Sequence, residues 1–478
     1  MSSKTQSIDS LLADIEKRTK NRQSLTHLAK CSPFIKGFRN LEHFILSAFK
    51  SDQKQAEGVS YHLQRLIDGL ARILWRNEVF LGIQTIGELF YSALLIEPEH
   101  PVKIFLEAVF ESEIHMPGFV VYPLHSFGLI NIDVISSFEA AKNLLNLSAE
   151  GIIVTPQNND SQKTNAFLEH TCAAFGIEYT VPKELVEHFR KTRSLHWLDH
   201  NPLLAVKVAS FSGLYHENQF IFILKLRLAT ALLMMMAAMG KEVNEEEVSS
   251  FSRSSLANNS QTLDLHDYLV FQAPTAKNQA LEVKCVPMNV DRLELMELSD
   301  LGVELDPSFW RDATNRPLLD RLYKAVRTLE SGYLQHCIVA KDKDMLSSRV
   351  HRKLLTSVNY FRRSFRAHSQ DPENVVALAI ALETLLTDFY SSGVRDRITD
   401  RVRLCLTSDI DVEVYRDAVK DLFESRGAIV HLGDAAMPQS FLKARQAYVL
   451  CFLEVVQRLD RLPTESVKPI ADLLQASD

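Results

Sequence analysis

No long hydrophobic run, no paired cysteine spacing and no glycine-rich phosphate loop occur in this chain, and each absence closes a class of function. The most apolar stretch, Phe220 to Met239, is interrupted by Lys225 and Arg227. Its uncharged part is about twelve residues, short of the ~20 that span a bilayer, so it reads as a buried helix. Met234, Met235 and Met236 within it read as plastic core packing. The first residues lead into a polar amphipathic segment without an apolar signal core, and a cytoplasmic protein with no membrane partner is expected. The cysteines, Cys31, Cys172, Cys285, Cys337, Cys405 and Cys451, are scattered, as suits reduced thiols rather than a disulfide framework or a zinc ribbon. No GxxxxGK sequence follows a predicted strand, so nucleotide binding has little support and no cofactor is expected. Excess positive charge is missing too: the formal net charge is −7, and any nucleic-acid surface must be local.

What is present is an ordinary globular composition, 46% hydrophobic and 24% charged over 478 residues, enough for about three domains. Residues 1–110 are helical by period, with Ile8, Leu11, Leu12 and Ile15 in one segment and Leu63, Leu66, Ile67, Leu70, Ile73 and Leu74 in another. From 111 to 240 short apolar runs alternate with helical patterns. Phe119 to Tyr122, Ile152 to Val154 and Ile177 to Val181 read as strands, with helices over Phe138 to Leu147 and Lys163 to Phe175 between them. That order predicts a small α/β module with parallel strands. Its ligand crevice would lie at Pro123 to Ser126 and Pro156 to Asp160. Residues 241–345 begin as a Glu-, Ser- and Asn-rich linker through Ser260. Short strands follow at Tyr268 to Phe271 and Leu281 to Val286, and Pro307 opens connecting helices. The whole reads as a mainly α, multidomain chain ending in a helical bundle over 346–465.

Two constellations bear on chemistry. His196 and His200 stand one helical turn apart with Asp199 between and His188 nearby. The pair lacks the inner glutamate of a HExxH zinc site and a clear third ligand, so no metal site is expected there. His115, His125 and His351 have no partner spacing at all. The second constellation is Arg426 and His431, separated by four residues near the end of a helix predicted from Val412 to His431. Arginine forks onto phosphate oxygens, and histidine takes and gives protons near neutral pH. Tyr415, Val419, Leu422, Phe423, Ile429 and Val430 put Arg426 on an apolar stripe. A preceding helix, Val375 to Phe389, opens with Asp371-Pro372-Glu373, a cap and the proline favoured at the first helical position, and carries Glu383 on its own apolar stripe. A carboxylate facing a core needs a partner, and Arg426 or another base of the same site is the expected one. A purely structural ion pair accounts equally for the spacing. Gly433 reads as the left-handed residue that ends the Arg426 helix. His431 then falls in the last turn, where the macrodipole favours a positive ring.

The run Tyr360-Phe361-Arg362-Arg363-Ser364-Phe365, then Ala379 to Leu386, then Ser425-Arg426 through His431 resembles the Apea-like HEPN domain. In that family a helical bundle carries an ALE-x-LL helix followed by an arginine, four to six residues and a histidine. The resemblance covers the last third of the chain. It departs at Gly427, where active members often have a polar residue, and at Leu432, which precedes a glycine that often follows the histidine directly. It implies a metal-independent endoribonuclease of bacterial antiviral defence or a toxin system, with a composite site at a homodimer interface. Arg426 and His431 match the motif, and Glu383 matches the glutamate of the preceding helix. RNA, transfer RNA included, would be the partner, and a phage-derived trigger or effector would act on the N-terminal region. Arg362, Arg363 and Arg366, interleaved with Tyr360, Phe361 and Phe365, are the expected RNA-binding residues. A catalytically silent HEPN protein that binds RNA or a protein partner remains the alternative.

Overall fold

The computed structural model describes residues 83–97, 100–110, 118–129, 151–155, 161–192, 195–208, 215–240, 267–272, 280–287, 300–339, 346–365, 371–389, 393–406, 411–433, 437–463 and 465–475, with scattered positions between 66 and 74. The segments near residues 8–15, Phe138 to Leu147, Pro156 to Asp160 and the 241–260 linker lie outside the described residues, as do Cys31 and Arg366. The described part is mainly helical with a small sheet. The chain divides into two compact units, one of Met1–Phe119, Lys207–Phe222 and Phe271–Glu282, the other of Val120–Val206, Ile223–Val270 and Val283–Asp478.

In the first unit, helices α1 (Ile83–Ile96) and α2 (Pro101–Phe110) pack on Ile86, Phe90 and Leu94 against Phe105, Leu106 and Val109, all buried. Phe90 and Phe105 meet edge to face at 6.3 Å, the arrangement ring quadrupoles favour. Leu66, Ile67, Leu70 and Leu74 are buried as their helical period requires.

The sheet corrects the expected parallel module. Strands β1 (Gly118–Pro123), β2 (His125–Leu129), β3 (Ile152–Thr155), β4 (Leu203–Val208), β5 (Asp267–Gln272), β6 (Glu282–Pro287) and β7 (Asp300–Leu305) form a five-stranded sheet in the order β3-β4-β1-β5-β6 and a β2-β7 pair. β3 runs antiparallel to β4, Ile152 opposite Val206, while β2 and β7 are parallel. β1 and β3 are thus separated by β4, whose Leu-Leu-Ala-Val run follows the break at Asn201-Pro202. Ile177 to Val181 is not a strand. Helix α3 (Ser161–Ala174) ends at Gly176, φ 66°, and the Ile177 amide closes back on the Cys172 carbonyl at 2.9 Å. Ile177 and Val181 are buried as two anchors of a connector leading to α4 (Lys183–Thr192), not as one face of a ladder. The expected crevice after β1 is filled as well. Leu124 donates to the Pro202 carbonyl at 2.8 Å and accepts from Asn201 at 3.0 Å, and the chain enters β2 at once.

Past the short helix α5 (Trp197–His200), α6 (Tyr215–Met239) is the apolar segment noted above, and Leu228 through Ala238 of it are buried. No helix among the described residues is long and apolar enough to cross a membrane. Its Ala238 carbonyl accepts from Gln446 at 3.0 Å, and Lys225 reaches Glu330 at 2.6 Å. These bonds tie it to the C-terminal helices: α7 (Pro307–Arg311), α8 (Arg316–Tyr333), a π-helical turn (Leu334–Val339), α9 (Leu346–Arg363), α10 (Pro372–Leu386), α11 (Val394–Cys405), α12 (Val412–Leu432), α13 (Phe441–Gln457) and α14 (Pro469–Leu474).

α10 begins as its sequence predicts: Asp371 caps the Glu373 amide at 2.9 Å and Pro372 occupies the first turn, where no donor is missed. α13 is the spine, buried along most of its length and packed against α8, α10, α11, α12 and α14. Its Tyr448 ring stacks on Phe361 of α9 at 4.4 Å. The Tyr448 hydroxyl pairs with Ser357 Oγ at 2.9 Å, and Ser357 donates to the Ala381 carbonyl of α10 at 2.8 Å. Three helices are thereby pinned by one satisfied polar chain inside an aromatic core. Arg445, one turn away, lies fully buried between Phe365 and Phe441 at 3.9 and 4.4 Å and donates to the Ser364 carbonyl. Burial lowers its guanidinium to about 9.

Candidate functional site

α12 presents the Arg–His pair. The helix buries Ala418, Val419, Leu422 and Phe423 against its neighbours and stops at Gly433, φ 69°, whose amide bonds the Ile429 carbonyl at 3.2 Å. Arg426 is half-buried beside this core edge. Its Nε is shut off from solvent with no acceptor, and the side chain makes no hydrogen bond or ion pair among the described residues. An unmatched buried donor of this kind costs about 1–3 kcal/mol, so the position favours an acceptor brought from outside the chain. His431 is exposed in the last turn, flanked by Val430 at 49% and Leu432 at 79% exposure. A titratable ring between two bare aliphatic side chains marks a surface suited to being covered. Five residues along a straight helix is about 7.5 Å of rise and ~140° of rotation, so the two side chains of one chain leave the helix in different directions.

Glu383 is half-buried on α10, but it forms no ion pair or side-chain hydrogen bond among the described residues, and the expected contact with Arg426 is not made. The base whose charge it influences is Lys353. That ammonium donates to the Thr387 carbonyl, and burial holds it below the usual lysine range against the opposing pull of Asp388. Asp388 caps α14 through the amides of Ile470 and Ala471 at 2.8 and 3.0 Å, and Arg401 lies 3.8 Å from it. Arg401 is therefore an interior residue at 3% exposure. Arg362 is buried as well. The sequence pattern missed this because a helix face rich in arginine looks solvated whichever residues turn inward. Arg363 is the exposed member, its guanidinium 5.3 Å from the Tyr360 ring centre, so of the two described candidates it is the one a nucleic-acid strand can reach.

The histidine pair at residues 196 and 200 is built around a different contact. Asp199 is occupied by Arg190 at 3.0 Å and by the Thr164 hydroxyl at 2.9 Å. No group of three or more His, Cys, Asp or Glu side chains among the described residues is arranged to hold a metal ion. The described cysteines are free thiols, and burial together with Glu169 pushes Cys172 up to about 12. His351 gains a partner that spacing did not reveal: His336 stacks on it at 5.0 Å. No family model, curated protein or solved structure matches the chain.

Gly427 follows the motif arginine inside α12, and a methyl group built on it meets nothing within 4 Å. Gly427→Ala is therefore expected to stabilise the protein by about 0.5–1 kcal/mol through lower unfolded-state entropy, read as a raised urea midpoint.

Proposed function

We propose that the chain is an endoribonuclease of the HEPN type, its site composed from two copies, acting in antiviral defence or as a toxin. The observation that carries this reading is Arg426, a half-buried cation without an internal acceptor, on the same helix end as an exposed histidine. In the reaction the ribose 2′-OH attacks the neighbouring phosphorus and the P–O5′ bond breaks. His431 of one copy takes the 2′-OH proton, and the partner's His431 gives a proton to the departing 5′ oxygen. The two Arg426 guanidinium groups bind the non-bridging oxygens and offset the charge that gathers on them. The products are a 2′,3′-cyclic phosphate and a 5′-hydroxyl, and protons balance across the two histidines.

Two features support a second copy. The mechanism needs a base and an acid, and one chain supplies one motif histidine. Val430 and Leu432 also offer apolar surface beside that histidine, which pairing would bury. Arg363 is the RNA contact favoured by exposure. Leu432→Asp tests the arrangement, because Leu432 at 79% exposure has little role in the folded monomer. Light scattering should show a dimer for the natural sequence and a monomer for the variant, with cleavage lost in parallel. Full activity from a monomeric variant would contradict the composite site.

A further inference from the structure

A cleft of about 680 Å³ opens between α8, the π-helical turn and α9, with the short turn Leu459–Arg461 on its far side. None of Arg426, His431 and Glu383 lines it. Its volume lies in the range of small-molecule sites. π-Turns are rare and concentrate at functional positions, and this one carries His336 to the cleft wall.

The wall is specifically built. His351 Nδ1 donates to the Ser347 carbonyl at 2.8 Å, which leaves Nε2 as the acceptor nitrogen of that ring. The ring fills the space above Gly332, where a Cβ would come 1.9 Å from Nε2, so any larger residue there would displace it. His336 stacks on this locked ring at 5.0 Å with 29° between planes. Burial, with His336 adding to it, holds His351 below its ordinary value.

Charge is arranged around that surface. Lys324 is exposed and makes no ion pair among the described residues, and Arg327 holds Glu330 at 3.0 Å with part of its fork. Glu330 is shared with Lys225 at 2.6 Å, so one carboxylate faces two cations there, while Asp320, one turn before Lys324 on the cleft wall, is held by Arg316 at 3.1 Å. Across the cleft stands Asp460, an exposed carboxylate that makes no ion pair among the described residues. Lys324 and Arg327, the Asp460 carboxylate and the stacked rings line this one cleft and can meet three parts of one ligand class.

We infer that this cleft binds a nucleoside monophosphate, its phosphate on Lys324 and Arg327, its ribose hydroxyls donating to Asp460 and its base against the His336–His351 stack. The site is separate from the proposed nuclease centre and does not depend on that reading. Calorimetric titration of the full chain with adenosine 5′-monophosphate, inorganic phosphate and adenosine tests it. Adenosine 5′-monophosphate should bind, and inorganic phosphate and adenosine should each bind at least about tenfold more weakly. Lys324→Met should weaken the nucleotide by about tenfold, and Asp460→Asn should weaken the nucleotide but not inorganic phosphate. Both residues are exposed, so neither variant threatens the fold. The ring proton resonances of His336 and His351 should shift on binding, and Arg426→Ala should bind as the natural sequence does. Absence of binding, affinity insensitive to Lys324→Met, inorganic phosphate as tight as the nucleotide, or loss of binding in Arg426→Ala would each overturn the assignment.

Discussion

His431→Ala and Arg426→Ala are each expected to lower RNA cleavage by about 10²–10⁴-fold while leaving the protein folded. His431 is exposed and Arg426 makes no internal hydrogen bond or ion pair among the described residues, so neither truncation removes a contact that holds the bundle together. Arg426→Ala even removes an unmatched buried donor. The variants should therefore match or exceed the natural sequence in urea midpoint and still fail to cut. This combination separates a chemical role from a structural one, because loss of a structural ion pair would lower stability first. Arg426→Lys should recover little activity: an ammonium restores charge but not the two-pronged geometry on phosphate oxygens. Single-turnover rates and denaturation curves on the same preparations decide the matter.

The largest stability effect is expected at Glu330. Its carboxylate is 7% exposed and bridges Lys225 of α6, at 2.6 Å, to Arg327 of its own helix, at 3.0 Å. Burial alone would raise this carboxyl, yet Lys225 and Arg327 together hold it below its ordinary value of 4.5. Glu330→Ala leaves Lys225 buried without its counter-charge and should cost about 3–5 kcal/mol. Lys225→Met combined with Glu330→Leu should recover much of that loss, since an apolar pair of similar volume avoids the stranded charge. The sign with pH follows from the lowered carboxyl. Its stabilising contribution is full above the unfolded value of 4.5 and is lost as pH falls through the lower folded value. The natural protein and the double variant should therefore lie close in urea midpoint near neutral pH, and in acid the natural protein should fall below the double variant and approach Glu330→Ala.

The helices around the candidate site were legible because their ends carry local chemistry. Asp371-Pro372 fixed one start and Gly433 one stop, each through a backbone bond available to a short segment alone. Burial of Met234 to Met236 followed from apolar length. The sheet was less legible, since alternating apolar runs mark strands but not their neighbours. β4 entered between β1 and β3, and two buried anchors at Ile177 and Val181 imitated a strand. At the site, the spacing of Arg426 and His431 was visible, whereas the fates of Arg362 and Arg401 depend on which side of a helix meets the core. The His336–His351 stack had no sequence signal of its own, because it is formed by a π-turn that shifts register between two helices.

The most direct test is to incubate the purified full chain and its His431→Ala and Arg426→Ala variants with transfer RNA and with unstructured RNA in EDTA, and to determine the chemistry of the cut ends. Fragments bearing 2′,3′-cyclic phosphate and 5′-hydroxyl ends from the natural sequence, and from neither variant, are the predicted result. Fragments ending in 3′-hydroxyl groups, or equal cleavage by all three proteins, would contradict the assignment of chemistry to Arg426 and His431.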